Sequence, residues 1–143
     1  MVGICAGLTT GVREVEAQEA RKDAAPKVTV LVLKEMDFVR MQPAAYMQAF
    51  RTTLAGKVPG SVVYSEGVRL RRMEDPAYLD QLANALRAKY ADGVSAIVTT
   101  GPASLSALLN VRDEVCPGIP VVFTGVTEAE LAGMTLPKDT FGV

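Results

Sequence analysis

The sequence contains no histidine, no tryptophan and only two cysteines, Cys5 and Cys116. The lack of histidine excludes histidine-based catalytic triads and histidine metal sites. Two cysteines cannot supply the four thiolates of a cysteine-only zinc site, and we expect Cys116 to be buried or incidental rather than a reactive thiol. The glycine-rich dinucleotide fingerprint and the phosphate-loop pattern are also missing. We therefore expect no cofactor, no metal and no catalytic triad.

The sequence also lacks a large excess of positively or negatively charged residues. Lys plus Arg is 15 and Asp plus Glu is 16, which gives a formal net charge of -1. Nucleic acids and acidic lipids select a basic face, so this balance predicts no nucleic-acid partner. Arg69, Arg71 and Arg72 are close together and could hold an anion, but a run of charges usually faces solvent.

The first part of the chain differs in composition from the rest. Residues 1–12 are small and apolar, and residues 13–27 are charged and rich in alanine. The apolar part is far shorter than the ~20 residues that span a bilayer, and it lacks the basic start of a signal peptide. We interpret residues 1–26 as the remnant of an export or anchor segment, or as a disordered tail. Residues 27–143 are predicted to form one α/β lobe.

Aliphatic runs alternate with helical patterns along the remainder. Val28–Leu33 is a continuous β-branched and aliphatic run, which is typical of a strand buried on both faces. Further strands are predicted at 61–65, 94–99 and 119–123, with helices between them, and a fifth strand or a crossover begins at 141–143. This alternation predicts a three-layer α/β fold with a parallel sheet in the flavodoxin-like order 2-1-3-4-5.

In such sheets, ligands bind beyond the carboxyl ends of the strands, near the switch point between strands 1 and 3. Three loops are expected to meet there and to form a ligand site. Gly101 allows close approach of the backbone, and the first turn of the following helix offers unpaired N–H groups that suit a carboxylate or another acceptor. The predicted ligand-binding residues are Lys34, Glu35, Met36, Asp37, Thr100, Gly101, Pro102, Ala103, Ser104, Thr124, Gly125, Val126 and Thr127.

Each of these loops also has a simpler interpretation. In this interpretation, residues 100–104 are only a strand-to-helix turn capped by a hydroxyl, and residues 34–37 are only a solvated polar loop. Thr127, followed by Glu128 and Glu130, is an N-cap with acids in the first turn of a helix. Phosphoryl transfer of the receiver-domain type is not expected, because Thr99 and Thr100 stand where an aspartate is needed.

Four blocks from Asp75 onward share their pattern with a known family. They are Tyr78-Leu79 through Lys89-Tyr90, residues 96–105, Arg112-Asp113 with residues 117–126, and residues 136–143. With these blocks the chain resembles the first lobe of periplasmic-binding-protein-like domains. Such domains occur as ABC-type solute-binding components and as extracytoplasmic sensor domains of bacterial histidine kinases.

The resemblance implies a type I fold of two α/β lobes that clasp a small molecule, often an amino acid or a similar metabolite. It covers roughly residues 28–143 and stops where a second lobe should start. A lone lobe leaves half of the cleft open to water and binds weakly. The expected partners are therefore a small-molecule ligand, a second lobe or a second copy in a homodimer, and an ABC permease or a kinase module.

Three classes of function follow from these patterns. A non-enzymatic ligand-binding lobe, periplasmic or extracytoplasmic and with or without a membrane tether, fits the loops and the resemblance. An enzyme on the same fold would use Glu35 or Asp37 as a base and Thr100 or Ser104 as a polar contact, and its carboxylate should be partly desolvated beside a hydroxyl. An assembly module would dimerise through an exposed sheet edge.

Overall fold

The structure, a computed structural model, describes residues 27–36, 44–72 and 74–143. The segment interpreted as an export remnant or tail, residues 1–26, lies outside these ranges, and so does Asp37 of the first loop. Within these ranges, none of the helices combines the length and the hydropathy that a membrane span needs.

Five parallel strands form one sheet in the order β2-β1-β3-β4-β5. The strands are β1 (Thr29–Glu35), β2 (Val62–Val68), β3 (Ala96–Thr100), β4 (Val121–Thr124) and β5 (Thr140–Gly142). The connections contain α1 (Ala44–Lys57), a 3-10 turn (Leu70–Arg72), α2 (Pro76–Lys89), α3 (Pro102–Val115) and the short α4 (Glu128–Leu131). The predicted α/β class and strand order are confirmed, and they are those that the family resemblance implies for one lobe.

Helices cover both faces of the sheet, which produces three layers. On one face, α2 and α3 bury the larger core, whose members include Leu31, Leu33, Leu86, Ile97, Leu105 and Leu108. On the other face, α1 places Met47, Phe50 and Leu54 against a smaller cluster of Val30, Val32 and Val98. Because β1 and β3 are buried on both faces, each contains an unbroken apolar run, residues 30–33 and residues 96–98, rather than an alternating pattern.

The β2 strand is longer than the sequence predicts. Its pattern places a loop from Glu66 onward, but the strand continues to Val68. The last three residues of β2 pair with Leu33, Lys34 and Glu35 of β1, and Val68 is fully buried. Pairing with a strand that is distant in sequence thus outweighs the poor local strand propensity of Glu66 and Gly67.

Glu66 joins β2 to the C-terminal end of α2. Its Oε1 accepts hydrogen bonds from Lys89 Nζ and from the Tyr90 hydroxyl, both at 2.8 Å. Burial acts to raise the pKa of Glu66, but these two hydrogen bonds and the charge of Lys89 outweigh burial and lower the pKa. Burial, followed by the neighbouring Glu66, raises the pKa of Tyr90, so its phenol stays a proton donor.

This cluster makes a pH-dependent contribution to stability. We expect Glu66→Gln to lower the free energy of unfolding by about 1 kcal/mol at neutral pH, because the charge-assisted bonds are lost. A carboxyl group whose pKa is lower in the folded than in the unfolded state stabilises the fold at any pH above its unfolded-state pKa. That stability is lost as the pH falls through the folded-state pKa. The difference in the free energy of unfolding between wild type and variant should therefore become smaller as the pH falls below 4.5, the ordinary pKa of a glutamate carboxyl group.

Urea denaturation at several pH values measures this difference. Glu114→Gln is the matched control, since the Glu114 carboxylate pairs with Arg87 at 3.4 Å on the surface, where 67% of the Glu114 side chain is exposed. The control should have almost no effect at any pH. A Glu66→Gln effect that grows on acidification would contradict the assignment.

Arg112 connects α3 to the outer strands of the sheet. Its guanidinium donates to the carbonyl oxygen of Ile119 at 2.8 Å and also to the Asp139 carboxylate. The hydrogen bond from Arg112 lowers the pKa of Asp139. Next to this pair, Cys116 is buried, as expected from the sequence, and burial raises the pKa of its thiol. These contacts hold the last turn of α3 against the segments that enter β4 and β5.

Candidate functional site

The carboxyl ends of β1, β3 and β4 lie side by side at one edge of the sheet, here called the carboxyl edge. The Gly101 N–H donates to the carbonyl oxygen of Thr124 at 2.8 Å. A Cβ atom added to Gly125 would lie 3.7 Å from the Gly101 nitrogen. The Ala103 N–H donates to Glu35 Oε1 at 2.6 Å. The three predicted loops therefore meet, whereas contact with a ligand remains a prediction.

Lys34, Thr100 and Thr124 form a polar row across three adjacent strands. Lys34 pairs in register with Thr100, and Thr100 with Thr124. Laterally paired residues of a parallel sheet project to the same face, so these side chains emerge together on the face that α1 covers. Within the described ranges, none of the three side chains makes a hydrogen bond or an ion pair. Lys34 and Thr124 are half-buried, whereas Thr100 is buried with 4% of its surface exposed. The row thus presents one ammonium group and one hydroxyl at the surface, with a second hydroxyl buried between them.

Glu35 lies on the opposite face, at the start of α3. It alternates with Lys34 along β1, and its register partner Val68 belongs to the core beneath α3. Because Pro102 at the first helical position has no N–H, the Ala103 N–H is the first donor of the helix, and Glu35 takes it. The position at which the sequence predicts a ligand carboxylate therefore holds a carboxylate of the chain itself, which also suits the positive end of the helix dipole.

Gly101 is a point of close approach at this edge. Its φ of 90° and ψ of 163° lie in a region that is essentially restricted to glycine. A Cβ atom at this position would meet Glu35 Oε1 at 2.6 Å. The sequence predicts that a ligand approaches the backbone at Gly101. In the structure the Glu35 carboxylate lies there, and contact with a ligand stays a prediction.

Ser104 points into the protein. It is fully buried, and its Oγ donates to the carbonyl oxygens of Thr100 at 2.8 Å and Gly101 at 3.1 Å. Its hydroxyl thus supports the turn and does not pair with Glu35. The carboxylate–hydroxyl contact that the enzyme hypothesis requires of Glu35 and Ser104 is not formed in this arrangement.

The loop after β4 has the capping geometry that its sequence predicts. Thr127 is the N-cap of α4; its N–H donates to Glu130 Oε2 at 2.8 Å, and its Oγ1 accepts from the Glu130 N–H at 3.4 Å. The Thr127 hydroxyl also donates to Glu130 Oε2 at 2.8 Å. The bonds to this oxygen from the Thr127 N–H and from the hydroxyl, the backbone one first, lower the pKa of Glu130. Val126 packs against the larger core. Gly125, next to Gly101, is the part of this loop nearest to the other two.

Gly67 is a member of this edge that sequence reasoning missed. It pairs in register with Lys34, and the Met36 side chain, itself largely exposed, lies directly over the position of a Gly67 Cβ atom. The available signal is a glycine inside a strand, which often marks a close approach of another group. Beyond β2, Arg72 pairs with Asp75 at 3.0 Å and lies over the Tyr78 ring, so it already has structural partners.

A cavity of about 280 Å³ lies at the opposite end of the sheet, between the last turns of α2 and α3. Its wall is mainly aliphatic, with Arg87, Tyr90 and Cys116 as exceptions. It contains none of the predicted site residues. We place the candidate site at the carboxyl edge, because polar side chains from three separate strands converge there, as ligand sites of parallel sheets require.

No family model and no curated protein matches the sequence. Among solved structures, a similar one is the crystal structure of the Lac repressor bound to ONPG in the repressed state, with 14% sequence identity and a TM-score of 0.44. The likeness covers 96% of this chain and 41% of the repressor chain, so this chain spans less than half of that protein's length. A likeness of this size carries no argument about what this chain binds.

Proposed function

We propose that the carboxyl edge binds a small polar molecule and that the chain is a non-enzymatic ligand-binding lobe. The observation that carries the proposal is the row of Lys34, Thr100 and Thr124, in which no described side-chain partner satisfies the ammonium and hydroxyl groups. Polar side chains without partners at a switch point of a parallel sheet are typical of ligand sites.

The ligand that fits best is an amino-acid-like metabolite. Lys34 offers a positive charge to an acidic group, and Glu35 offers a negative charge to a basic group. A small ligand that carries both kinds of group can use both faces of the edge. Gly125 is exposed and has no side chain, so the backbone of its loop is accessible between the two faces.

The proposed setting is extracytoplasmic, as part of an ABC-type solute-binding protein or of a histidine-kinase sensor domain. This setting is supported by the family resemblance of residues 75–143 and by the strand order. The other half of the cleft would come from a second lobe or a second copy, since a single edge buries too little of a ligand for tight binding.

Isothermal titration of the chain against amino acids and related metabolites tests this function, with Lys34→Met as the informative variant. We expect at least one compound to bind to wild type and its affinity to fall about tenfold or more in Lys34→Met, because a charge-assisted contact is worth about 1.5–3 kcal/mol. Light scattering of the same samples reports whether the ligand brings two copies together.

Lys57→Met is the matched control. Lys57 lies in the last turn of α1, at the other end of the sheet, and is exposed. This variant should bind like wild type. Equal losses in the two variants, or no binding by wild type across the panel, would overturn the proposal.

A further inference from the structure

The starting observation is the occupied N-terminus of α3. Glu35 reaches this helix from a strand 68 positions earlier in the chain, and its Oε1 lies 2.6 Å from the Ala103 nitrogen. Gly101 has no side chain, which leaves room for the carboxylate against the backbone. The first free donor of the helix, which would otherwise attract an anion, is therefore already used.

The second oxygen of this carboxylate, Oε2, differs from the first in its surroundings. Among the described residues, no donor reaches Glu35 Oε2, and the side chain is half-buried rather than fully enclosed. An ionised carboxylate accepts hydrogen bonds only, so a ligand group that contacts Oε2 has to be a donor. The helix dipole offsets about half a charge, so a net negative charge remains at this point.

We infer that Glu35 determines the ligand class at this edge: it excludes a ligand carboxylate from the N-terminus of α3 and selects a protonated amine. This inference rests on the proposed function, since it concerns the ligand of the proposed site, but its test requires no natural ligand. Glu35 acts as a built-in carboxylate, so its removal should expose the helix N-terminus and reverse the charge preference of the site.

The test uses ethylammonium chloride and sodium acetate as probes, with sodium chloride at the same ionic strength as the reference. Amide chemical shifts of Gly101 and Ala103, followed in ¹⁵N-labelled protein, report binding at the site. In wild type, ethylammonium should shift these amides and acetate should not. In Glu35→Ala, acetate should shift the Ala103 amide in a saturable manner and raise the melting temperature, and the ethylammonium response should be lost.

Two further variants separate charge from structure. Glu35→Gln keeps an oxygen that can accept from Ala103 but has no charge, so it should respond to neither probe and also guards against a fold that does not tolerate alanine. Glu128→Ala removes an exposed acid from the first turn of α4 and should respond to both probes as wild type does.

The results of these experiments distinguish a failure of the inference from a failure of the proposed function. If acetate shifts the Ala103 amide as strongly in wild type as in Glu35→Ala, or if Glu35→Ala gains no acetate response, the inference is overturned. A reversal of preference with no binding in the metabolite panel supports the role of Glu35 and overturns only the proposed function.

Discussion

Gly101→Ala should lower the free energy of unfolding by about 3–5 kcal/mol, a large part of the total stability of a domain of this size. The backbone of Gly101 has a conformation that costs another residue about 1–3 kcal/mol. The new methyl group would also meet Glu35 Oε1 at 2.6 Å, so the carboxylate has to leave the Ala103 N–H. The loss of this charge-assisted hydrogen bond adds about 1.5–3 kcal/mol.

Gly118→Ala is the control for the backbone contribution alone. Gly118 also has a positive φ, 73°, but a Cβ atom added there meets nothing within 4 Å. We expect this variant to lose only about 1–2 kcal/mol. Urea denaturation followed by circular dichroism measures both variants. Equal losses would mean that Glu35 does not lie against Gly101.

Leu105→Ala should cost about 2–5 kcal/mol, the second large effect. Leu105 is fully buried one turn into α3, in the larger core with Leu33 and Phe123. Truncation removes buried methyl groups and leaves a cavity that the packed sheet cannot close. Since Leu105 holds the first turn of α3 against the sheet, we also expect the Ala103 amide to exchange faster with solvent.

Leu109→Ala, one turn later on the same helix, is its matched control. Leu109 is only half-buried at the margin of the same core, so its truncation should cost about 1–2 kcal/mol. Both substitutions make the same chemical change in the same helix, so the difference between them reports burial. A larger loss for Leu109→Ala would contradict the described packing of α3.

The fold was predictable because its signals are local. The continuous apolar runs of β1 and β3 reflect burial on both faces, and Asp75-Pro76 marks the start of α2, where Asp75 accepts a hydrogen bond from the Ala77 N–H. The end of β2 was not predictable in this way. Its residues Glu66 and Gly67 are poor strand formers and are held by pairing with β1, which is far away in the sequence.

The site was predictable at the level of loops but not at the level of single groups. Strand order alone brings the ends of β1, β3 and β4 together. Which face each side chain takes follows from the alternation along β1, where Leu33 and Glu35 face α3 and Lys34 faces α1. The inward turn of Ser104 and the capture of the Ala103 N–H by Glu35 depend on side-chain geometry, which the sequence pattern does not contain.

The central claim is that the segments near residues 35, 102 and 125 share one edge, with the Glu35 carboxylate at the start of α3. Nuclear Overhauser spectroscopy measures this proximity directly in solution. We predict cross-peaks between the Glu35 γ protons and the Ala103 amide proton, and between the Gly101 amide proton and the Gly125 α protons. If both sets are absent while the β1–β3 cross-strand peaks are present, the sheet stands, but the shared edge, and with it the ligand site, does not exist.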